Sequence, residues 1–187
     1  MSASNVEGLE FWSEDKRHGL QLPEKCVRIV LQECRLARGR ESGGILLGYY
    51  TDQLDCAVVT RVTGPGRGSR AGGTWFERGV AGLQAVVTRL WRSGRGYYLG
   101  EWHFHPDASA DPSPDDLQTL RRIACDRGSQ CRHPALLILG GDPATSWTAS
   151  AYVFRRDTAA RLVTTIHAGD GDKTSRVVGR LRAATSG

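Results

Sequence analysis

Apolar and polar positions recur along the chain with two periods, which predict strands and helices in one mixed order. Short apolar runs bounded by polar turns predict strands, which cover residues 43–50, 56–62, 97–105, 134–139, 148–154 and 162–167. Apolar positions at helical spacing predict helices, which cover residues 23–38, 77–91 and 113–126. Residues 9–21 are predicted to form a short strand pair, and the Gly- and Arg-rich residues 64–73 a loop. The elements indicate an α/β domain built around a sheet.

Composition and charge narrow the class of protein. The chain has 187 residues, 40% hydrophobic and 24% charged, which is typical of one compact globular domain. It has no apolar run as long as a membrane helix and no basic-then-apolar start of a secretion signal. The five cysteines include no C-x-x-C pair, so we expect structural thiols in a cytoplasmic protein without a membrane partner. The charge of +5 comes from dispersed arginines, which argues against nucleic-acid binding.

Residues 100–120, GEWHFHPDASADPSPDDLQTL, carry the side chains of a metal site. Successive side chains of a strand point to opposite faces, so His103 and His105 lie on one face and can share one metal ion. Ser113, six residues after the His-x-His-Pro stretch, is predicted to cap a helix with Asp116 in its first turn. If the loop folds back, Asp116 becomes a third ligand. Two imidazoles, one carboxylate and one water make a catalytic zinc site.

The same residues also have an ordinary structural interpretation. Ser113-x-x-Asp116 is a capping-box pattern, which is common at the start of helices. A His-x-His pair on a strand is often incidental when it stands alone. What favours the metal site over the structural interpretation is the combination of His-x-His-Pro and Ser-x-x-Asp, with six residues between Pro106 and Ser113.

This combination resembles the motif of the JAMM/MPN metalloprotease family, the zinc enzymes that cleave ubiquitin and ubiquitin-like conjugates. The family motif is a distant Glu, then His-x-His-Pro, six residues, and Ser-x-x-Asp. In this chain the Glu lies in the stretch ESGGILLG, which is typical of bacterial members, and the motif residues are Glu41, His103, His105, Pro106, Ser113 and Asp116. The match covers about residues 20–155. It implies the JAMM/MPN (cytidine-deaminase-like) fold, an α/β domain with a curved mixed sheet flanked by helices.

The resemblance also implies a role for each motif residue. His103, His105 and Asp116 would hold one zinc ion per chain, which activates a water molecule at neutral pH. Glu41 would accept the proton of that water and pass it to the leaving amine. The Ser113 hydroxyl would stabilise the oxyanion of the reaction.

Three neighbouring residues need a separate interpretation. Glu101 lies on the strand face of His103, where it is either a rival proton acceptor or a hydrogen-bond partner of an imidazole N–H. Asp115 is a rival ligand, although the motif spacing favours Asp116. Phe104 stands where the family often has Ser or Thr. Strand alternation points it away from the metal, so we expect it to alter packing and not ligation.

A closer resemblance, to the small JAMM proteins of bacterial mobile elements and CBASS-type antiviral defence operons, is carried by residues 78–79, 90–91, 93–94 and 98–103. These operons also encode activating-like and conjugating-like enzymes, which are implied partners. The implied reaction is hydrolysis after the C-terminal tail of a ubiquitin-like modifier or of a conjugated nucleotidyltransferase. A dimer is compatible with the family. The expected organisation is a JAMM/MPN domain over residues 1–157 and a C-terminal extension over residues 158–187, one strand and then a flexible tail.

Other functions stay open at this point. The same residues can trim the C-terminus of a ubiquitin-like or sulfur-carrier precursor. JAMM-like folds also occur as non-catalytic scaffolds and in DNA-repair-associated proteins, which the complete motif and the dispersed arginines disfavour. Residues 64–73 are either a flap that pairs with the modifier's extended tail by strand addition or a simple surface loop.

Overall fold

A computed structural model of the chain describes residues 7–53, 55–72, 76–77, 79, 83–94, 96–126, 131, 133–155 and 158–164. Its strands are β1 (Leu9–Trp12), β2 (Gly19–Leu22), β3 (Ser42–Tyr50), β4 (Cys56–Val62), β5 (Arg70–Ala71), β6 (Phe76–Glu77), β7 (Tyr97–Pro106), β8 (Ala135–Asp142), β9 (Ser146–Arg155) and β10 (Thr158–Thr164). Its helices are α1 (Glu24–Leu36), α2 (Leu83–Arg92) and α3 (Pro114–Cys125).

One sheet organises the domain and closes on itself. Its strand order is β1-β10-β9-β8-β7-β3-β4-β2, and β5 and β6 pair separately as a two-stranded sheet. The pairs β2·β4 and β7·β8 are parallel, whereas the other pairs of the closed sheet are antiparallel. The predicted curved, mixed sheet is therefore confirmed. Strand β7 lies between β3 and β8, and both of its edges are paired at His103, whereas His105 is paired with β8.

The two faces of β7 have opposite chemistry. Trp102 and Phe104 are buried in the main core, which one face of the sheet shares with α1. Phe104 therefore packs away from the histidines on either side of it, as strand alternation predicts. The pairing register with β3 shifts between Leu46 and Leu47, which leaves Leu99 as an extra residue. Because of this bulge, Leu99 and Trp102 both face the core although they are three residues apart.

Helix α3 covers part of the opposite side of the sheet. Leu120, from the helix, is fully buried against Leu136 and Ile138 of β8 and Phe154 of β9. At about 25 cal/mol per Å² of apolar surface removed from water, such contacts stabilise the docked helix by several kcal/mol. This packing holds the N-terminus of α3 near the end of β7.

Most of the predicted elements are confirmed, with different ends. The strand pair near the N-terminus, the first helix, the hairpin and the helix after residue 113 are all present. The prediction of a loop over 64–73 is wrong at Arg70–Ala71, which pairs with Phe76–Glu77. The second helix begins at Leu83 and not at residue 77, because Glu77 belongs to that strand pair. Apolar periodicity carries no information on a pairing two residues long.

The C-terminal part of the chain is described as far as residue 164. Strand β10 begins at Thr158, earlier than the predicted strand 162–167, and it joins β9 to β1. The last three residues of that predicted strand and the predicted tail lie outside the described residues. The division of the chain after residue 157 stays a prediction.

The cysteine side chains are mostly buried and protonated. The five cysteines all lie in the described part of the chain, where none of them forms a disulfide, and all but Cys125 are buried. Burial raises the pKa of Cys34 to about 12 and those of Cys56 and Cys131 to about 11, which keeps these thiols protonated and unreactive. Among the described residues, no helix is both long enough and apolar enough to cross a membrane.

Candidate metal centre

The outer face of β7 presents three polar side chains in a row. Glu101, His103 and His105 alternate with the buried Trp102 and Phe104, so they share the face opposite to the main core. Glu101 and His105 are buried, and the His103 side chain is 14% exposed. The strand ends at Pro106, and the chain leaves the sheet there.

The loop after β7 turns back over the sheet because three contacts hold it. The Asp107 N–H donates to the Gly141 carbonyl at 3.2 Å, and Asp107 adopts the left-handed conformation (φ 53°) that Asp tolerates better than most residues. The Ser150 hydroxyl donates to the Ala110 carbonyl. A Cβ on Gly140 would lie 2.5 Å from the Ala108 carbonyl oxygen. The loop backbone therefore packs directly against Gly140, which has no side chain to obstruct it.

Ser113 and Asp116 form a capping box at the start of α3. The Asp116 N–H donates to Ser113 Oγ at 3.2 Å, and the Ser113 N–H donates to Asp116 Oδ2 at 2.8 Å. The Ser113 hydroxyl also donates to Oδ2, at 2.7 Å. The other carboxylate oxygen, Oδ1, contacts Nδ1 of His103. One oxygen caps the helix and the other faces an imidazole, so the capping box is compatible with a ligand role of Asp116, which stays a prediction.

His103, His105 and Asp116 converge on one point. One candidate ligand atom from each residue lies within 4.8 Å of those of the other two, and His105 Nε2 is 3.5 Å from Asp116 Oδ2. Two imidazole nitrogens and a carboxylate oxygen are a donor set that suits zinc. The residues therefore fit a metal ion by position and by chemistry.

The electrostatics of the cluster also suit a cation. Burial alone would raise the pKa of Asp116, but hydrogen bonds with His103 and His105 lower it far below its usual range. Burial lowers the pKa of His103, but its contacts with Asp116 and Glu101 outweigh burial and raise it to about 9. The contact with Asp116 likewise raises the pKa of His105. A bound divalent cation would replace the protons that these imidazoles otherwise share with the carboxylates.

Glu41 reaches the cluster from another strand. It directly precedes Ser42, the first residue of β3, which pairs with Phe104 in β7. The Glu41 N–H donates to the Gly72 carbonyl at 2.9 Å, and its half-buried side chain interacts electrostatically with His105. Burial raises the pKa of Glu41, and the imidazoles of His105 and His103 oppose that shift. All five sequence-predicted site residues therefore lie in one place.

The two rival residues, Asp115 and Glu101, lie in different surroundings. Asp115 is exposed and lies outside the ligand cluster of the described residues. Glu101 is 3% exposed; its Oε2 lies 3.4 Å from His103 Nε2, and its Oε1 accepts a hydrogen bond of 3.1 Å from the Tyr98 hydroxyl. Sequence reasoning missed Tyr98, because strict alternation puts residues three apart on opposite faces of a strand, and only the bulge at Leu99 brings Tyr98 to the face of Glu101.

Comparison with known proteins identifies the family. A family model described as prokaryotic homologs of the JAB domain matches residues 23–151. The chain belongs to the prokaryotic JAB/MPN family. The JAB/MPN match confirms both the predicted family and the predicted fold.

Individual relatives agree with this assignment. A CD-NTase/cGAS isopeptidase of Enterobacter hormaechei is 38% identical over 158 residues, which cover 84% of this chain and 87% of the relative. A probable metalloprotease of Sinorhizobium fredii is 30% identical, over 71% of this chain and 81% of the relative. The solution structure of a protein from Desulfitobacterium hafniense aligns with a TM-score of 0.55 at 22% identity, over 74% of this chain and 86% of that one. The family match and the two named relatives confirm the expected enzyme class, a metal-dependent hydrolase of the JAB/MPN type, whereas the solved structure supports the fold alone.

Proposed function

We propose that the chain is a zinc-dependent isopeptidase that releases a conjugated nucleotidyltransferase from its targets within a bacterial antiviral defence system. The observation that carries the proposal is the convergence of His103, His105 and Asp116 beside Glu41. Four relatives, from Enterobacter hormaechei, Escherichia coli, Pseudomonas aeruginosa and Vibrio cholerae, bear the name CD-NTase/cGAS isopeptidase. The similarity extends over most of the chain in the first of them, which supports a shared substrate class.

His103, His105 and Asp116 would hold the zinc ion. When bound, zinc supplies a Lewis acid that polarises the scissile carbonyl and makes water nucleophilic at neutral pH. The capping box keeps Asp116 in place, because the Ser113 N–H stays bonded to Oδ2 whatever the serine hydroxyl does. The buried walls of the site reduce access of bulk water, which strengthens every charge interaction inside it.

Glu41 is the proposed general base. Its side chain is half-buried beside His105, and burial raises the pKa of its carboxyl towards the range in which proton exchange is efficient. Glu41 takes one proton from the attacking water and delivers it to the leaving nitrogen. The carbonyl carbon gains a bond to oxygen and loses its bond to nitrogen, so one carboxylic acid and one amine leave the site.

Ser113 is proposed to stabilise the oxyanion. Its hydroxyl donates to Asp116 Oδ2 in the structure, so this role requires the hydroxyl to rotate towards the substrate. The rotation would leave Asp116 Oδ2 with the backbone N–H of Ser113, at 2.8 Å. The cost is therefore one of the two hydrogen bonds that Ser113 donates to that oxygen.

The substrate tail is proposed to approach along the strand pair β5·β6. The closed sheet has no unpaired long edge among its eight strands, whereas β5 and β6 form a separate two-stranded ribbon in the described part of the chain. Gly72 directly follows β5, and its carbonyl accepts the Glu41 N–H, so this ribbon lies next to the base. An extended C-terminal tail can add to such a ribbon by strand pairing.

A cleavage assay tests the proposal. The zinc-loaded chain is incubated with a nucleotidyltransferase of a defence operon whose C-terminal tail is joined to a reporter, through an α-peptide bond in one substrate and a lysine isopeptide bond in the other. We expect cleavage of the isopeptide substrate that stops with a chelator and in Glu41→Gln. Cleavage of the α-peptide substrate alone would instead support precursor processing. A zinc-loaded chain that cleaves neither substrate would contradict the proposed reaction.

A further inference from the structure

Glu101 is a buried carboxyl group that the proposed reaction does not use. It is 3% exposed, and its neighbours across the sheet on both sides, Ile45 of β3 and Leu136 of β8, are buried apolar residues. A buried carboxyl without polar partners would destabilise the fold by several kcal/mol. Its contacts with Tyr98 and His103 therefore explain why it is tolerated in this position.

The imidazole of His103 lies between two carboxyl groups. Its Nδ1 contacts Asp116 Oδ1, and its Nε2 lies 3.4 Å from Glu101 Oε2. A hydrogen on Nε2 that points at Glu101 leaves the Nδ1 lone pair directed towards Asp116, where the metal ligands converge. Turning the ring over would put Cδ2 and Cε1 in the places of Nδ1 and Nε2, and both contacts would be lost.

Tyr98 holds Glu101 in turn. Its hydroxyl donates to Glu101 Oε1 at 3.1 Å, so the carboxyl is bound at one oxygen by Tyr98 and at the other by His103. The bulge at Leu99 is what places Tyr98 and Glu101, three residues apart, within reach of each other. The series of contacts from the Tyr98 hydroxyl through the Glu101 carboxyl to the His103 imidazole thus lies on one face of β7.

We infer that Glu101 is a positioning residue that fixes the ring orientation and tautomer of His103 for metal binding, and that Tyr98 supports it. This inference rests on the proposed metal site, in which His103 is a ligand. A carboxyl that accepts the second N–H of a metal-binding histidine raises metal affinity by about 10- to 100-fold. Glu101 is therefore not the proton acceptor of the reaction, because both of its oxygens already have partners.

Zinc affinity, measured by competition with a chromogenic chelator, tests the inference without any substrate. We expect Glu101→Ala to lower the zinc affinity of the chain by about 10- to 100-fold. Glu101→Gln should recover most of that loss, because its amide oxygen can accept from His103 while its amino group faces the Tyr98 hydroxyl. A merely space-filling role of Glu101 would give the same result for these two variants, so tyrosine variants distinguish it from hydrogen bonding.

A pair of tyrosine variants provides a matched control. Tyr98→Phe should lower zinc affinity in the same direction as Glu101→Ala but less. Tyr50→Phe removes a hydroxyl that donates to the His133 carbonyl at 2.9 Å, and it should leave zinc affinity unchanged. This pair carries the test if Glu101→Ala does not fold, as judged by thermal unfolding of the metal-free protein.

Three results would overturn the inference. The first is a folded Glu101→Ala that binds zinc as tightly as the wild type. The second is a Glu101→Gln that binds zinc normally but has lost turnover, since Glu101 would then be the proton acceptor. The third is equal zinc affinity of Tyr98→Phe and Tyr50→Phe. Failure of the proposed function is distinct, because it would appear as wild-type protein that binds zinc and cleaves no conjugate.

Discussion

Two partly buried clusters in the described part of the chain contain two histidines each, and one of them is arranged as a metal site. In the first, His103 and His105 converge on Asp116. In the second, the rings of His18 and His133 are 5.5 Å apart, and the Tyr50 hydroxyl donates to the His133 carbonyl. Cys131, with Sγ 3.6 Å from the Tyr50 hydroxyl, would add a thiol as a further potential ligand. In the described part of the chain, only the first cluster brings three ligand atoms within 4.8 Å of one another.

The difference lies in the surroundings of the imidazoles. Contacts with carboxyl groups raise the pKa values of His103 and His105. Burial, followed by the guanidinium of Arg155, lowers the pKa of His18. A cation is therefore favoured in the first cluster and opposed in the second. Residue types that can bind metals are common in the chain. Three of them converge here because they are positioned by a strand, a loop held by tertiary contacts and a capped helix.

The largest expected effect separates the two clusters directly. His103→Ala removes a ligand, so we expect the variant to lose its zinc and its turnover to fall to the uncatalysed level. His133→Ala changes the same residue type in the other cluster and should keep both zinc and turnover in the folded protein. Elemental analysis and the isopeptide cleavage assay measure the two quantities. Loss of zinc in both variants would show that the two clusters are not distinct.

The next effect separates chemistry from metal binding within the first cluster. Glu41→Gln should keep the zinc but lower kcat by about 100- to 10,000-fold, the usual contribution of a general base. Glu24→Gln is a matched control, because Glu24 forms an exposed ion pair with Arg28 on α1. It should change neither quantity. Normal turnover of Glu41→Gln would rule out Glu41 as the base.

A third variant tests the loop that carries the chain from β7 to α3. Gly140→Ala puts a Cβ 2.5 Å from the Ala108 carbonyl oxygen, so the loop must shift. We expect about 1–3 kcal/mol of destabilisation, together with weaker zinc binding because Asp116 follows the loop. Gly48→Ala is the control, because its Cβ would collide with the Val58 carbonyl oxygen at the other end of β3. It should destabilise the fold without affecting zinc affinity. Urea unfolding measures the stability of the two variants, and chelator competition measures their zinc affinity. Equal zinc affinities of Gly140→Ala and Gly48→Ala would show that the loop does not position Asp116.

The smallest expected effect concerns the second cluster. The pKa of His18 in the folded protein lies below its usual 6.5, so the unfolded chain binds the proton more readily. The stability contribution of neutral His18 is thus lost as pH falls from 6.5 towards the folded pKa. His18→Gln should make unfolding of the metal-free protein less pH-dependent in that window, as urea titrations at several pH values would show. An unchanged pH dependence would mean that His18 is not perturbed by its surroundings.

Much of the site could be predicted from the sequence because its residues lie in two short motifs. Strand alternation placed His103 and His105 on one face, and capping rules placed Asp116 in the first turn of a helix. No local rule could place Glu41 beside them, which required the family resemblance and the β3·β7 pairing. Tyr98, Gly140 and Ser150 escaped prediction, since a bulge and two tertiary contacts position them.

The most direct test of the central claim is the zinc content of the purified wild-type chain, measured beside cleavage of the nucleotidyltransferase isopeptide substrate. The convergence of His103, His105 and Asp116 predicts about one zinc per chain and cleavage that a chelator abolishes and added zinc restores. Protein that was never exposed to a chelator, contains no zinc and takes none up would contradict the assignment of the metal site. Cleavage that persists in excess chelator would contradict the metal-dependent reaction itself.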